Sequence, residues 1–151
     1  MLRVTKLTDY ATVVMTALAH GADSVLSASE LAERAGLEAT TVAKVLKPLA
    51  QAGLVEGFRG ANGGYRLARP ADEIGLIEIV EAMEGPLAMT ECSGHTGQCD
   101  LESSCTVRAN WRRINDVVVE ALRAVTLAQM LVPPPDGVPG TPAKRIDLRL
   151  A

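Results

Sequence analysis

Apolar residues near the start of the chain recur at intervals of three and four. Leu7, Tyr10, Ala11, Val14, Ala17 and Leu18 form one such set, which predicts a helix over LTDYATVVMTALAH stopped by Gly21. At 27–30 the run S-A-S-E carries a capping box, with Ser27 as the cap and Glu30 reaching back. The helix it opens, LAERAG, is short and ends at Gly36. A third helix is predicted from about 38 to 52, closed by Gly53, with Pro48 expected to bend it or loosen its last turns. After Gly53 the period changes. LVEGF and YRLAR read as short strands, and the RGANGG between them demands a turn with positive φ. Two short helices around a Gly-containing turn, followed by a hairpin with an arginine near its tip, predict a winged helix-turn-helix. The plainer reading is a small α+β domain that uses the same elements only for packing.

Further along, PADEIGLIEIVEAMEG predicts a helix from 75 to 84. The longest helix is expected from about 103 to 131. In it Val107, Trp111, Ile114, Val118, Ala121, Val125 and Ala128 are spaced 4, 3, 4, 3, 4, 3. That heptad seam predicts pairing with a second long helix, most simply in a homodimer. A helix of that length would run about 43 Å at 1.5 Å per residue, more than so small a domain can cover. The fold class that follows is mainly α with a small β-wing. Residues 1–70 form the DNA-binding unit, 71–132 a linker helix, cysteine loop and dimerisation helix, and 133–151 a Pro-rich tail expected to be disordered.

Composition adds limits. The 151 residues are 48% hydrophobic and 22% charged, ordinary for a soluble globular protein. Aromatics are few (Tyr10, Phe58, Tyr65, Trp111), so the core must be aliphatic. No apolar run approaches a membrane span. Ala17-Leu18-Ala19 mimics a signal-peptidase site, but Asp9 and the threonines interrupt the apolar stretch before it. Three cysteines, an odd number and clustered, favour a reducing compartment, and the cytoplasm is expected. The net charge of −3 is unpromising for a nucleic-acid binder until it is mapped. Residues 38–69 carry Lys44, Lys47, Arg59, Arg66 and Arg69 against Glu38 and Glu56, a local +3, whereas 71–105 hold eight acids and no Lys or Arg. A local field suffices to attract DNA.

Two groups of residues then carry candidate chemistry. A recognition helix presents its N-terminal residues to base edges, here Ala39, Thr40, Thr41 and Lys44. Threonine and lysine reach base edges or phosphate, and Lys47, one turn on, suits the backbone. In the wing, Arg59 suits a narrow minor groove and Asn62 could assist it. The other group is ECSGHTGQCDLESSC at 91–105, a C-x6-C-x5-C pattern. Three close thiolates repel one another unless a metal neutralises them, and soft ligands suit zinc, copper or an iron–sulfur cluster. The spacing lacks the C-x2-C steps of zinc sites and ferredoxins, so it does not separate zinc from iron–sulfur, and a thiol redox sensor also survives. His95 is the nearby candidate for a fourth ligand. No nucleophile–His–acid arrangement points to an enzyme, and no small-molecule substrate is implied. A protein-interaction module serving an enzyme of sulfur metabolism is a further alternative.

From TDYATVVMTALA through SELAERAGLEATTVAKVLKPLAQAGLVEGFRGANGGYRLARP to C-T-V-R-A-N-W, the chain resembles the iron–sulfur-dependent winged-helix repressors, the family of IscR and NsrR. The wing R-G-x-x-G-G-Y-x-L is the most specific piece, and the TDYA start looks most like the subgroup regulating the SUF cluster-assembly operon. The resemblance implies a homodimer on palindromic operator DNA, with Cys92, Cys99 and Cys105 ligating a 2Fe–2S or 4Fe–4S cluster. It implies repression of cluster-assembly genes according to cluster status. Where IscR-like members place a ligating His, three residues after the last cysteine, this chain has Arg108. NsrR-like members use an Asp near the start of the first helix, supplied by the other subunit, which matches Asp9. That implication ranks Asp9 above His95. Arg59 matches the family's wing arginine.

Overall fold

The computed structural model describes residues 3–21, 23–94 and 104–133. Helix α1 spans Lys6–His20, α2 Ala28–Ala35 and α3 Ala39–Gln51. Strands β1 (Val55–Phe58) and β2 (Gly64–Leu67) form an antiparallel hairpin in which Glu56 faces Arg66 and Phe58 faces Gly64. Helices α4 (Leu76–Glu84), α5 (Arg108–Ala124) and α6 (Leu127–Met130) follow. This is the winged helix-turn-helix that the periodicity predicts.

The local signals act as the sequence suggests. Ser27 Oγ accepts from Glu30 N at 3.2 Å and Glu30 Oε2 accepts from Ser27 N at 2.8 Å, which closes the capping box of α2. The Ser27 amide and hydroxyl, both donating to Glu30 Oε2, hold the Glu30 carboxyl below its ordinary pKa. α3 runs on past Pro48 to Gln51, because Leu46 and Leu49 on either side of the proline are buried and hold the turn in place. In the wing, Gly60 has φ +108°, the positive φ expected of the turn. Gly64 is required for a different reason. A Cβ there would lie 2.3 Å from the Leu26 carbonyl oxygen, where Leu26 and Tyr65 bridge and fasten the wing to the start of α2.

One aliphatic core joins the layers. Ala11, Val14, Met15 and Leu18 of α1 pack with Leu31, Val42, Val45 and Leu49 of the helix-turn-helix, and with Ile74, Ile79 and Leu127 from beyond the wing. Leu7 is an exception to the predicted α1 stripe. It is 38% exposed, and Thr8 occupies the buried place instead. The polar residue is stable there because its hydroxyl donates to Glu84 Oε1, and Thr5 N donates to the same oxygen at 3.1 Å. Those donors hold the Glu84 carboxyl below its ordinary pKa.

The C-terminal helix differs from expectation. A continuous helix over 103–131 does not form: α5 starts at Arg108, ends at Ala124, and is about 25 Å long. Val125 is extended (φ −90°, ψ 117°) and Thr126 caps α6. The break is stabilised by a short ladder, with Leu76 N donating to Val125 O and Leu127 N to Ile74 O, both at 2.8 Å. The turn drops Leu127 into the core at 0% exposure. Of the heptad set, Val107 is the N-cap of α5, Trp111, Ile114, Val118 and Ala121 lie within it, Val125 is at the break and Ala128 lies beyond it in α6. Leu127→Ala should lower the unfolding free energy by about 2–5 kcal/mol, the range for a truncated buried leucine, read by urea denaturation followed by circular dichroism.

Candidate nucleic-acid interface and cysteine site

The outward face of α3 follows from its inward one. Val42, Val45, Leu46 and Leu49 are buried, so Thr40, Lys44 and Lys47, spaced four and three from one another on a different face, point away from the core. Thr40, Lys44 and Lys47 are exposed and Thr41 is half-buried. The N-cap of α3 is Glu38, which makes no side-chain capping bond. Arg59 and Asn62 are exposed at the wing tip.

The cations divide into two groups. Arg66 is committed: its Nε and Nη2 donate to Glu56 Oε2 at 3.1 and 3.0 Å, and its guanidinium lies over the Phe58 ring, 4.8 Å from the centroid. Arg69 pairs with Glu78 and donates to the Glu73 carbonyl. Lys44, Lys47 and Arg59 form no ion pair or hydrogen bond among the described residues. The recognition face and the wing tip therefore carry free positive charge. Sequence periodicity located these three but could not tell which arginines were already paired.

Residues 85–94, which lead into the cysteine segment, leave α4 through Gly85 and contact α5. Met89 N donates to Asn115 Oδ1 at 3.1 Å, and Asn115 is buried for that purpose on an otherwise mostly exposed helix. Arg112 Nε donates to the Cys92 carbonyl at 3.3 Å. Cys92 lies in the helical turn Glu91–Ser93, 7% exposed, with its sulfur 3.3 Å from Thr90 Oγ1. Cys105 is half-buried just before α5 begins. Cys92 and Cys105 thus lie beside the N-terminal turns of α5. Cysteine sulfurs suit a soft metal or an iron–sulfur cluster as part of a donor set. Cys99 and His95 lie outside the described residues. Among the described residues no three His, Cys, Asp or Glu side chains converge as a metal site.

Asp9 is exposed in the first turn of α1. Thr5, not Asp9, caps α1: its Oγ1 accepts from Thr8 N at 3.3 Å. Asp9 lines a groove of about 640 Å³ with Thr12, Val80, Leu122 and Met130. Asn115 and Glu84 are site-shaping residues that sequence reasoning missed. Both act through contacts far apart along the chain, and no local pattern marks them. Among the described residues no helix is long and apolar enough to cross a membrane.

Comparison with known proteins agrees with this geometry. Protein aau3 of Rhizobium meliloti is 36% identical over 132 residues, covering 86% of this chain and 85% of that one. The structure of CymR, the global cysteine regulator of B. subtilis, superposes with a TM-score of 0.67 at 29% identity, covering 87% of this chain and 97% of that one. The structure of T. potens IscR superposes with a TM-score of 0.64 at 30% identity, covering 86% of each chain. The Rrf2 family model, described as an iron-dependent transcriptional regulator, matches residues 4–133. With its winged helix, its uncommitted cations on the recognition face and this match over most of its length, the chain belongs to the Rrf2 family and is a DNA-binding transcriptional regulator rather than an enzyme.

Proposed function

We propose that the protein is a homodimeric repressor of iron–sulfur cluster assembly genes that senses cluster status through Cys92, Cys99 and Cys105. The observation that carries the reading is the position of Cys92. It is buried and tied through its carbonyl to Arg112, on the helix that bears the apolar seam. Asp9 of the partner chain is the proposed fourth ligand, with His95 the weaker alternative. When bound, an iron–sulfur cluster supplies sensitivity to iron supply, oxidants or nitric oxide. The chain's own residues do the rest. Asn115 and Arg112 hold the cysteine segment against α5, and α5 presents Val107, Trp111 and Ile114, 38–48% exposed, to a second copy. The angle between two such copies sets the separation of the two recognition helices, and palindromic DNA accepts only separations near whole helical turns. Thr40, Thr41 and Lys44 are the proposed base-reading residues, Lys47 the backbone contact, and Arg59 with Asn62 the wing contact.

A second reading has support in the likeness to a cysteine regulator: the thiols act by redox chemistry alone, or hold zinc. Anaerobic purification with absorption spectroscopy and iron, sulfide and zinc analysis separates these. Under the cluster reading, isolated protein is coloured, and Cys92→Ala with Cys99→Ala and Cys105→Ala removes both the colour and the response of DNA binding to cluster-damaging agents. Zinc without sulfide would select the second reading.

The seam has its own test. Trp111→Glu with Ile114→Glu should convert a dimer to a monomer in light scattering while the circular dichroism spectrum is retained. For DNA, a duplex enriched from a random pool by the purified protein serves as the probe. Lys47→Ala should flatten the dependence of log affinity on log salt by about 0.9 per lost phosphate contact, roughly 2 for a dimer. Lys44→Ala should instead relax discrimination by about 1–3 kcal/mol at the base it reads.

A further inference from the structure

Glu84 stands where its own helix disfavours it. It is the last residue of α4, where the carbonyl end of the helix dipole repels a carboxylate. What holds it there is another helix: its Oε1 accepts from Thr5 N at 3.1 Å and from the hydroxyl of Thr8, at the positive end of α1. Thr8 is fully buried, so its hydroxyl depends on this acceptor. The lowered pKa of Glu84 reports the same donors.

Two candidate ligand-bearing segments meet at this clasp. On one side, Asp9 directly follows Thr8. On the other, Gly85 (φ +84°) turns the chain from Glu84 into the cysteine segment, which is pinned farther along by Asn115 and Arg112. α1 in turn packs on the recognition helix α3 through the shared core.

We propose that Glu84 is a positioning residue that makes the first turn of α1 and the cysteine segment one cooperative unit, through which a change at the cysteines reaches the α1–α3 packing. The physical warrant is a sequence of links: α5 holds Met89 and Cys92, the short turn at Gly85 joins them to Glu84, Glu84 accepts from Thr5 and Thr8, and α1 packs on α3. The consequence for DNA binding rests on the cluster-sensing reading above; the coupling itself does not.

Hydrogen exchange on the unloaded full-length protein tests the coupling. In Glu84→Ala, amides in the first turns of α1 and in 87–94 should speed up together, by about tenfold or more, for loss of a charged acceptor. Glu84→Gln, which keeps the acceptor oxygen, should remain near wild type. Thr8→Val, which removes the donor at nearly constant volume, provides a second disruption should Glu84→Ala not fold. A response confined to α1 would make Glu84 a mere helix cap and overturn the proposal. The second measurement compares loaded and unloaded affinities for the enriched duplex. Glu84→Ala should bring their ratio to within about twofold of one, with iron and sulfide per chain unchanged. A purely structural residue would weaken both forms alike and leave the ratio intact, which also overturns the proposal. If wild-type protein itself holds no cluster or shows no such ratio, the cluster-sensing reading falls, and the exchange result still decides the coupling.

Discussion

Burial of the α1 aliphatic stripe is the constraint on which the other elements depend. Ala11, Val14 and Met15 are fully enclosed, and around them gather the helix-turn-helix, the bridge to the wing, α4 and the returning turn before α6. A chain with so few aromatics has few bulky side chains to fill gaps, Tyr10 and Tyr65 packing only at the edge of this core. Its core must close by bringing many small aliphatic surfaces into register. The orientation of the recognition helix is therefore not a local property of α3. It is set by the same packing that fixes the start of α1 and, through Thr8 and Glu84, the end of α4.

This arrangement also explains why the C-terminal helix breaks. Continuing α5 past Ala124 would have carried Leu127 along the helix axis and left the Ile74 carbonyl and the Leu76 amide without backbone partners on that side. Leu127 N and Val125 O provide those partners, and the turn places Leu127 in the core. The core and the seam compete for the same stretch of chain, and beyond Ala124 the core prevails.

The sequence disclosed most of what is local. Helices α1 to α4 are marked by their apolar period, by the Ser27–Glu30 box and by Gly36 and Gly53, and the wing by its change of period and its glycines. The 4-3 spacing that runs through Val125 and Ala128 hid the break, because a heptad pattern cannot distinguish a seam from a core contact that happens to share its phase. One local clue was present: Thr126 and Gln129 form a capping box, in the same pattern as Ser27 and Glu30. The site was legible in the same uneven way. Lys44, Lys47 and Arg59 follow from helix phase and turn position. The pairing of Arg66 with Glu56, of Thr8 with Glu84 and of Met89 with Asn115 depends on the tertiary fold, which brings distant residues into hydrogen-bond range.

The internal neutralisation of Arg66 and Arg69 has a consequence for how such a protein searches a genome. With those two guanidinium groups facing its own carboxylates, the chain leaves Lys44, Lys47 and Arg59 uncommitted on the recognition face and wing tip, within a net charge of −3. Pairing those arginines internally lowers the number of counterions released on arbitrary sequence, so shape match to a site weighs more in the residence of the protein on DNA.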